Sequence, residues 1–131
     1  MNPKAIGELS EAIVLVHLMK RGWAVSLPFG NNQRYDLVVD VGERLLRAQV
    51  KTAHEVKGGI MFAVVSKNGF TGARTGYEGQ IDVFLAQYDG RVFMVPVEDV
   101  PGNSMTLRFD PPKPRGNFTA VNWAKDYELL P

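Results

Sequence analysis

The chain has 131 residues, 45% of them hydrophobic, which is the size of one ordinary domain with one substantial core, so a single domain over residues 1–131 is expected. It contains no cysteine and two histidines, His17 and His54, which excludes disulfides, thiol catalysis and thiolate zinc sites and leaves oxygen ligands for any metal, the chemistry of magnesium, calcium or manganese. Fifteen basic against fourteen acidic residues give a net charge of +1, so a nucleic-acid partner has to be held by local rather than overall charge.

Asn2 can cap a helix with Pro3 at its first position. From Lys4 to Arg21 the residues Ile6, Leu9, Ile13, Val16 and Met19 recur at helical spacing, and Gly22 supplies the stop. Val14, Leu15 and Leu18 widen this stripe, which predicts a largely buried C-terminal half with His17 packed inside it. Glu8 and Glu11 lie in the more polar first half. The opening "MNPKAIGELSEA" lacks the basic-then-apolar profile of a secretory signal, and no apolar run approaches a bilayer span, so a soluble, cytoplasmic chain without membrane association is expected.

"WAVSLPF" reads as a strand entering a turn at Gly30-Asn31-Asn32, followed by a hairpin over "YDLVVDVGERLLRAQVKTA". A two-residue loop at Gly42-Glu43 sets Val41 opposite Arg44 and Asp36 opposite Gln49; a bulged, longer loop would shift the pairing by one. In the first register Asp36, Val38, Asp40, Leu45, Arg47, Gln49 and Lys51 share one face. Tyr35, Leu37, Val39, Val41, Leu46, Ala48 and Val50 form the other, the core face. A carboxylate, an amide and an ammonium then meet at the open end of the hairpin. Taken alone, such a face is the ordinary wet side of an antiparallel pair, and Asp40, nearer the turn, reads as solvated. His54 falls in a turn after Lys51.

"IMFAVVSK" is a further strand after Gly58-Gly59, and "NGFTGARTGYEGQ" a glycine-rich loop. "IDVFLAQY" and "RVFMVPV" form a second hairpin around Asp89-Gly90. Pro101, Pro111, Pro112 and Pro114 predict an irregular tail before a short helix near Val121 to Tyr127. The element order implies an α+β fold, an N-terminal helix packed on a mixed, mostly antiparallel sheet.

A helix with a glutamate, an acidic residue at a strand start and a polar-x-Lys on the next strand together resemble the PD-(D/E)xK nuclease superfamily. The stretches "KAIGELSEAIVLVHLMKRGWAV", "PFGNNQRYDLVVD", "RAQVKTA" and "YEGQIDVFLAQYDGRVFMVPV" look like its group I intron homing endonuclease branch and, more distantly, archaeal Holliday-junction resolvases. The resemblance implies a restriction-endonuclease-like core and a magnesium-dependent endonuclease acting on double-stranded DNA, with Mn2+ able to substitute for Mg2+. By motif position Asp36 is the central metal ligand, Gln49 the ligand in place of the usual acid, and Lys51 the water-orienting or charge-offsetting cation. Glu11 completes the metal set from the helix, with Glu8 the weaker alternate. Ser66 and Tyr77 are expected near the site, and His54 could reach DNA.

Two residues depart from the motif. Tyr35 stands where the family has proline, which shapes backbone and donates no ligand. Gln49 removes one negative charge, so metal affinity falls unless Glu11 restores it; the intron endonuclease branch carries the same glutamine. One site per chain and two strands to cut imply a homodimer or homotetramer. The competing readings are a Holliday-junction resolvase or DNA-repair nuclease, and a catalytically inactive nucleic-acid-binding protein of the same fold.

Overall fold

Helix α1 spans Pro3–Lys20, capped by the Asn2 side chain, which accepts the Ala5 N–H at 2.8 Å. The computed structural model of the chain describes residues 1–30, 32–67, 74–112 and 121–130. Strands β1 (Ala24–Ser26), β2 (Leu37–Asp40), β3 (Leu45–Thr52), β8 (Val83–Tyr88) and β9 (Arg91–Pro96) form a five-stranded sheet in the order β1-β2-β3-β8-β9. Only β3 and β8 run parallel; the other neighbours are antiparallel. A three-stranded sheet holds β4 (His54–Val56), β5 (Gly59–Ala63) and β10 (Ser104–Arg108), and β6 (Val65–Lys67) pairs with β7 (Arg74–Gly76). The fold is α+β, as the element order implied.

Strand alternation splits the apolar residues into two clusters, one on each face of the large sheet. Val14 and Leu18 of α1 pack with Leu37, Val39, Leu46, Ala48, Val50, Val83 and Leu85. On the opposite face Phe84, Ala86, Phe93 and Val95 pack with Ile60, Phe62, Met105 and Leu107 of the small sheet. Strand β8 is therefore apolar at every position from Val83 to Ala86, the pattern of a strand covered on both faces. Among the described residues no helix is long and apolar enough to cross a membrane.

The first hairpin has the register counted from a two-residue loop, without a bulge. Leu37 pairs with Ala48 and Asp40 with Leu45, and Val41 N–H reaches the Arg44 carbonyl at 3.2 Å. Gly42, at φ +100°, supplies the left-handed residue this turn requires. Tyr35 departs from the expected core face: it packs against the small-sheet cluster, because the regular strand begins only at Leu37.

Other expectations need correction. The helix buries Ser10, Val14 and Leu18, while Val16 and Met19 are 51% and 61% exposed, so its C-terminal half is not largely buried. His17 is half-buried and bonds the backbone carbonyl of Leu129. His54 lies in β4 rather than a turn, and "IMFAVVSK" is divided between β5 and β6. The proline-rich tail contains β10, which bonds along β5, and the expected terminal helix is one 3-10 turn at Ala124–Asp126. Arg74–Gly76, read as loop, is a strand. Asn31 of the first turn, residues 68–73 of the glycine-rich loop and residues 113–120 of the tail lie outside the described residues.

Candidate active site

Asp36 stands at the entry to β2 and is tied to β3 twice. Its N–H donates to the Ala48 carbonyl at 2.8 Å, and its carboxylate accepts the Val50 N–H at 2.8 Å. The carboxylate is thus fixed at the open end of the hairpin, where Glu11 of α1 comes close enough for the two carboxyls to perturb each other. Burial, then the charge and hydrogen bond of Asp36, then the charge of Glu8 push the Glu11 carboxyl above its usual range. Burial also raises Asp36, against the opposing pull of the Val50 N–H, the Glu11 hydrogen bond and the Lys51 charge. Two acids side by side, Asp36 raised by burial and Glu11 raised further by the charge of Asp36, form a place where a cation is favoured. They open on a groove of about 430 Å³, lined also by Leu15, Leu27, Pro28 and Gln33.

Gln49 and Lys51 are half-buried on one side of β3, two residues apart, and Asp36 and Gln49 each lie one residue beyond the last hairpin pair, Leu37 with Ala48. The Lys51 ammonium donates to the Tyr77 hydroxyl at 3.4 Å and sits 5.1 Å from the ring centroid. Tyr77, buried edge-on against Phe84, also has the Arg34 guanidinium 4.1 Å from its centroid. One aromatic ring thus braces two cations beside the acid pair. Tyr77 lies near the site as expected; Ser66 has its backbone in β6, and its side chain is outside those described. Glu8 is exposed and contributes only its charge. Asp40 is exposed and caps its own turn by accepting the Gly42 N–H at 2.9 Å.

The sequence profile of the PD-(D/E)XK endonuclease family matches residues 1–130. The chain belongs to this family. A solved structure, that of the bacterial homing endonuclease I-Ssp6803I, is similar over 97% of this chain and 86% of its own, with a TM-score of 0.68 and 22% identity. That likeness establishes the shared fold. No curated protein matches the chain.

For a PD-(D/E)XK endonuclease the donor set is lean. Among the described residues no group of three or more His, Cys, Asp or Glu side chains could hold a metal. The acids of the site are Glu11 and Asp36, and a further protein donor has to be a neutral oxygen such as the Gln49 amide. An all-oxygen set with two carboxylates in each other's field fits a hard divalent cation.

Sequence reasoning missed what aims Glu11. The fully buried Ser10 hydroxyl lies 2.6 Å from the Thr52 hydroxyl and accepts from Gln87 Nε2 at 2.9 Å, while Gln87 Oε1 accepts the Gly90 N–H at 2.8 Å. This network joins α1 to β3 and β8 at the residues adjoining Glu11 and Lys51. Its one legible signal was a serine on the core side of a helix, which a count of apolar positions passes over.

Proposed function

We propose that this member of the family is a magnesium-dependent endonuclease hydrolysing phosphodiester bonds of duplex DNA, with one site per chain and a homodimer or homotetramer as the working form. The observation that carries this reading is the Glu11–Asp36 carboxylate pair opening on a groove while Lys51 acts on Asp36 from β3. Glu11, Asp36 and the amide oxygen of Gln49 would hold Mg2+, with Mn2+ as substitute. When bound, such a cation supplies Lewis acidity at the phosphoryl oxygens and lowers the pKa of the attacking water.

The chain's own residues do the rest. The Val50 N–H keeps the Asp36 carboxylate oriented, and Glu11 brings the second negative charge that a glutamine at position 49 withholds. Tyr77 steadies the Lys51 ammonium, which orients water or offsets charge developing on the phosphate. A homodimer presents two such sites, one per strand.

A second reading, a binding protein of this fold without turnover, is favoured by Gln49 and by the net charge of +1. Nicking of supercoiled plasmid with magnesium, manganese or chelator separates the two. The endonuclease converts plasmid to nicked and then linear form only with metal. Lys51→Ala abolishes that conversion while DNA binding persists, because one ammonium is a small share of phosphate contacts and a large share of transition-state charge. Binding without metal-dependent conversion in the wild type would establish the binding protein instead. Linear product formed from a branched junction but not from plasmid would mark a junction resolvase.

A further inference from the structure

Between β1 and Asp36 runs "LPFG", Leu27 to Gly30, and its apolar side chains point outward. Phe29 is 103% exposed and Leu27 is 68% exposed. Proline fixes the backbone before Phe29, and Gly30 turns the chain after it at φ +90°. The aromatic therefore stands on a shaped protrusion rather than at a chain end. Its neighbours Leu27, Pro28 and Gly30 line the same groove as Glu11 and Asp36.

We propose that Phe29 is a substrate-contacting residue, an apolar wedge that packs on bases or sugars of the duplex held at the carboxylate groove. This rests on the endonuclease reading above. The occupant follows from continuity: whatever fills the groove at Glu11 and Asp36 passes the loop that forms its rim. Phe29 itself is not part of the groove lining, but the residues on both sides of it, Pro28 and Gly30, are. Duplex DNA offers both chemistries the rim and floor ask for. Its phosphates suit the cations Lys51 and Arg34 that flank Tyr77, and its base faces and sugars suit an exposed aromatic. A wedge inserted from the minor groove unstacks a base step and bends the duplex, which would bring the phosphate backbone down toward the acid pair.

The test uses the full chain with Phe29→Ala and Phe29→Trp, both at a fully exposed position, against a short fluorescein-labelled mixed-sequence duplex in calcium buffer and against supercoiled plasmid in magnesium. Phe29→Trp, which keeps an aromatic face, is expected to bind and cut better than Phe29→Ala. Its indole emission should be quenched on duplex addition beyond the change shown by Trp23 and Trp123 in the parent. Phe29→Ala is expected to lose about tenfold or more in binding and comparably in cleavage, with the salt dependence unchanged because no charge is removed. Duplex binding by anisotropy without indole quenching would overturn the proposal, as would a Phe29→Ala protein that binds and cuts normally. A shift in sedimentation of Phe29→Ala with intact DNA binding would overturn it in favour of a contact between copies. A wild type that neither binds duplex nor nicks plasmid would refute the endonuclease reading, and this proposal with it.

Discussion

At neutral pH the Glu11 and Asp36 carboxylates work against the fold that carries them. Both carboxyls have proton affinities raised by burial, and Glu11 further by the charge of Asp36. The folded state then binds protons more tightly than the unfolded chain. The stability this confers is full below the ordinary carboxylate value of about 4 and is lost as pH rises through the raised values. Glu11→Gln should therefore melt at a higher temperature than the wild type at neutral pH, with the gain shrinking as pH falls below the ordinary range. The same variant should lose cleavage, and added magnesium should stabilise the wild type more than the variant. A melt series in which Glu11→Gln is the less stable protein at neutral pH would contradict this account. Gln49 tests the charge balance from the other side. Gln49→Glu adds one negative charge at similar volume, so half-maximal cleavage should move to lower magnesium concentration, even if the maximal rate falls; superimposable titrations would leave Gln49 outside the metal set. The position of Asp36, Gln49 and Lys51 toward the open end of the hairpin was legible because a two-residue turn fixes the pairings from Asp40 with Leu45 to Leu37 with Ala48. Tyr77 and Arg34 meet through residues brought together by the sheet, and no local spacing encodes that.

Helix α1 shows where periodicity misleads. Its apolar residues surround most of the second half, so the stripe of Ile6, Leu9, Val16 and Met19 was a fair candidate for the buried side, yet all four are exposed. The buried line is Ser10, Val14 and Leu18, spaced at four residues, because a hydroxyl that bonds Thr52 and Gln87 seats the helix as firmly as a methyl group would. Glycine-rich and proline-rich stretches misled in the opposite sense. Strands β7 and β10 form there through bonds to β6 and β5, a tertiary pairing that overrides weak local preference. The seating of α1 has a measurable consequence. Ser10→Ala leaves the buried Gln87 amide without its partner, while the exposed Thr52 hydroxyl turns to water, which should cost about 1–3 kcal/mol in denaturant unfolding. Cleavage at temperatures where the variant remains folded should fall as well, since the helix turn bearing Glu11 loses its anchor, whereas Ser10→Thr, which keeps the hydroxyl, should restore part of both. Full cleavage by a folded Ser10→Ala protein would show that Glu11 is held without the network.

Across the whole molecule the final described segment links elements distant in sequence. Met94 N–H donates to the Tyr127 carbonyl and Leu129 N–H to the Val92 carbonyl, each at 2.9 Å, so this segment runs along β9. From the other side His17 and Arg21 of α1 bond the carbonyls of Leu129 and Leu130. Arg91 closes the junction with a two-pronged ion pair to Glu128, at 2.7 and 2.9 Å. These contacts were not legible in the sequence, because most of them use backbone carbonyls, which no residue type advertises. The Arg91 hydrogen bond, offset in part by burial and reinforced by the Arg91 and His17 charges, holds the Glu128 carboxyl below its usual value. A depressed acid stabilises the fold above its ordinary range, and that contribution disappears as pH falls through the lowered value. Because the pair is partly exposed to solvent, its worth is about 0.5–1 kcal/mol. Glu128→Gln should be less stable than the wild type by that amount at neutral pH, and the two should converge as pH falls through the lowered Glu128 value. Amide exchange locates the effect: corrected for intrinsic rates, protection at Met94 and Leu129 should fall in acid in the wild type and be low at every pH in Glu128→Gln, while protection in β3 and β8 falls no further than global stability does. Equal stability of the two proteins at neutral pH would mean that the backbone bonds alone hold the segment to β9.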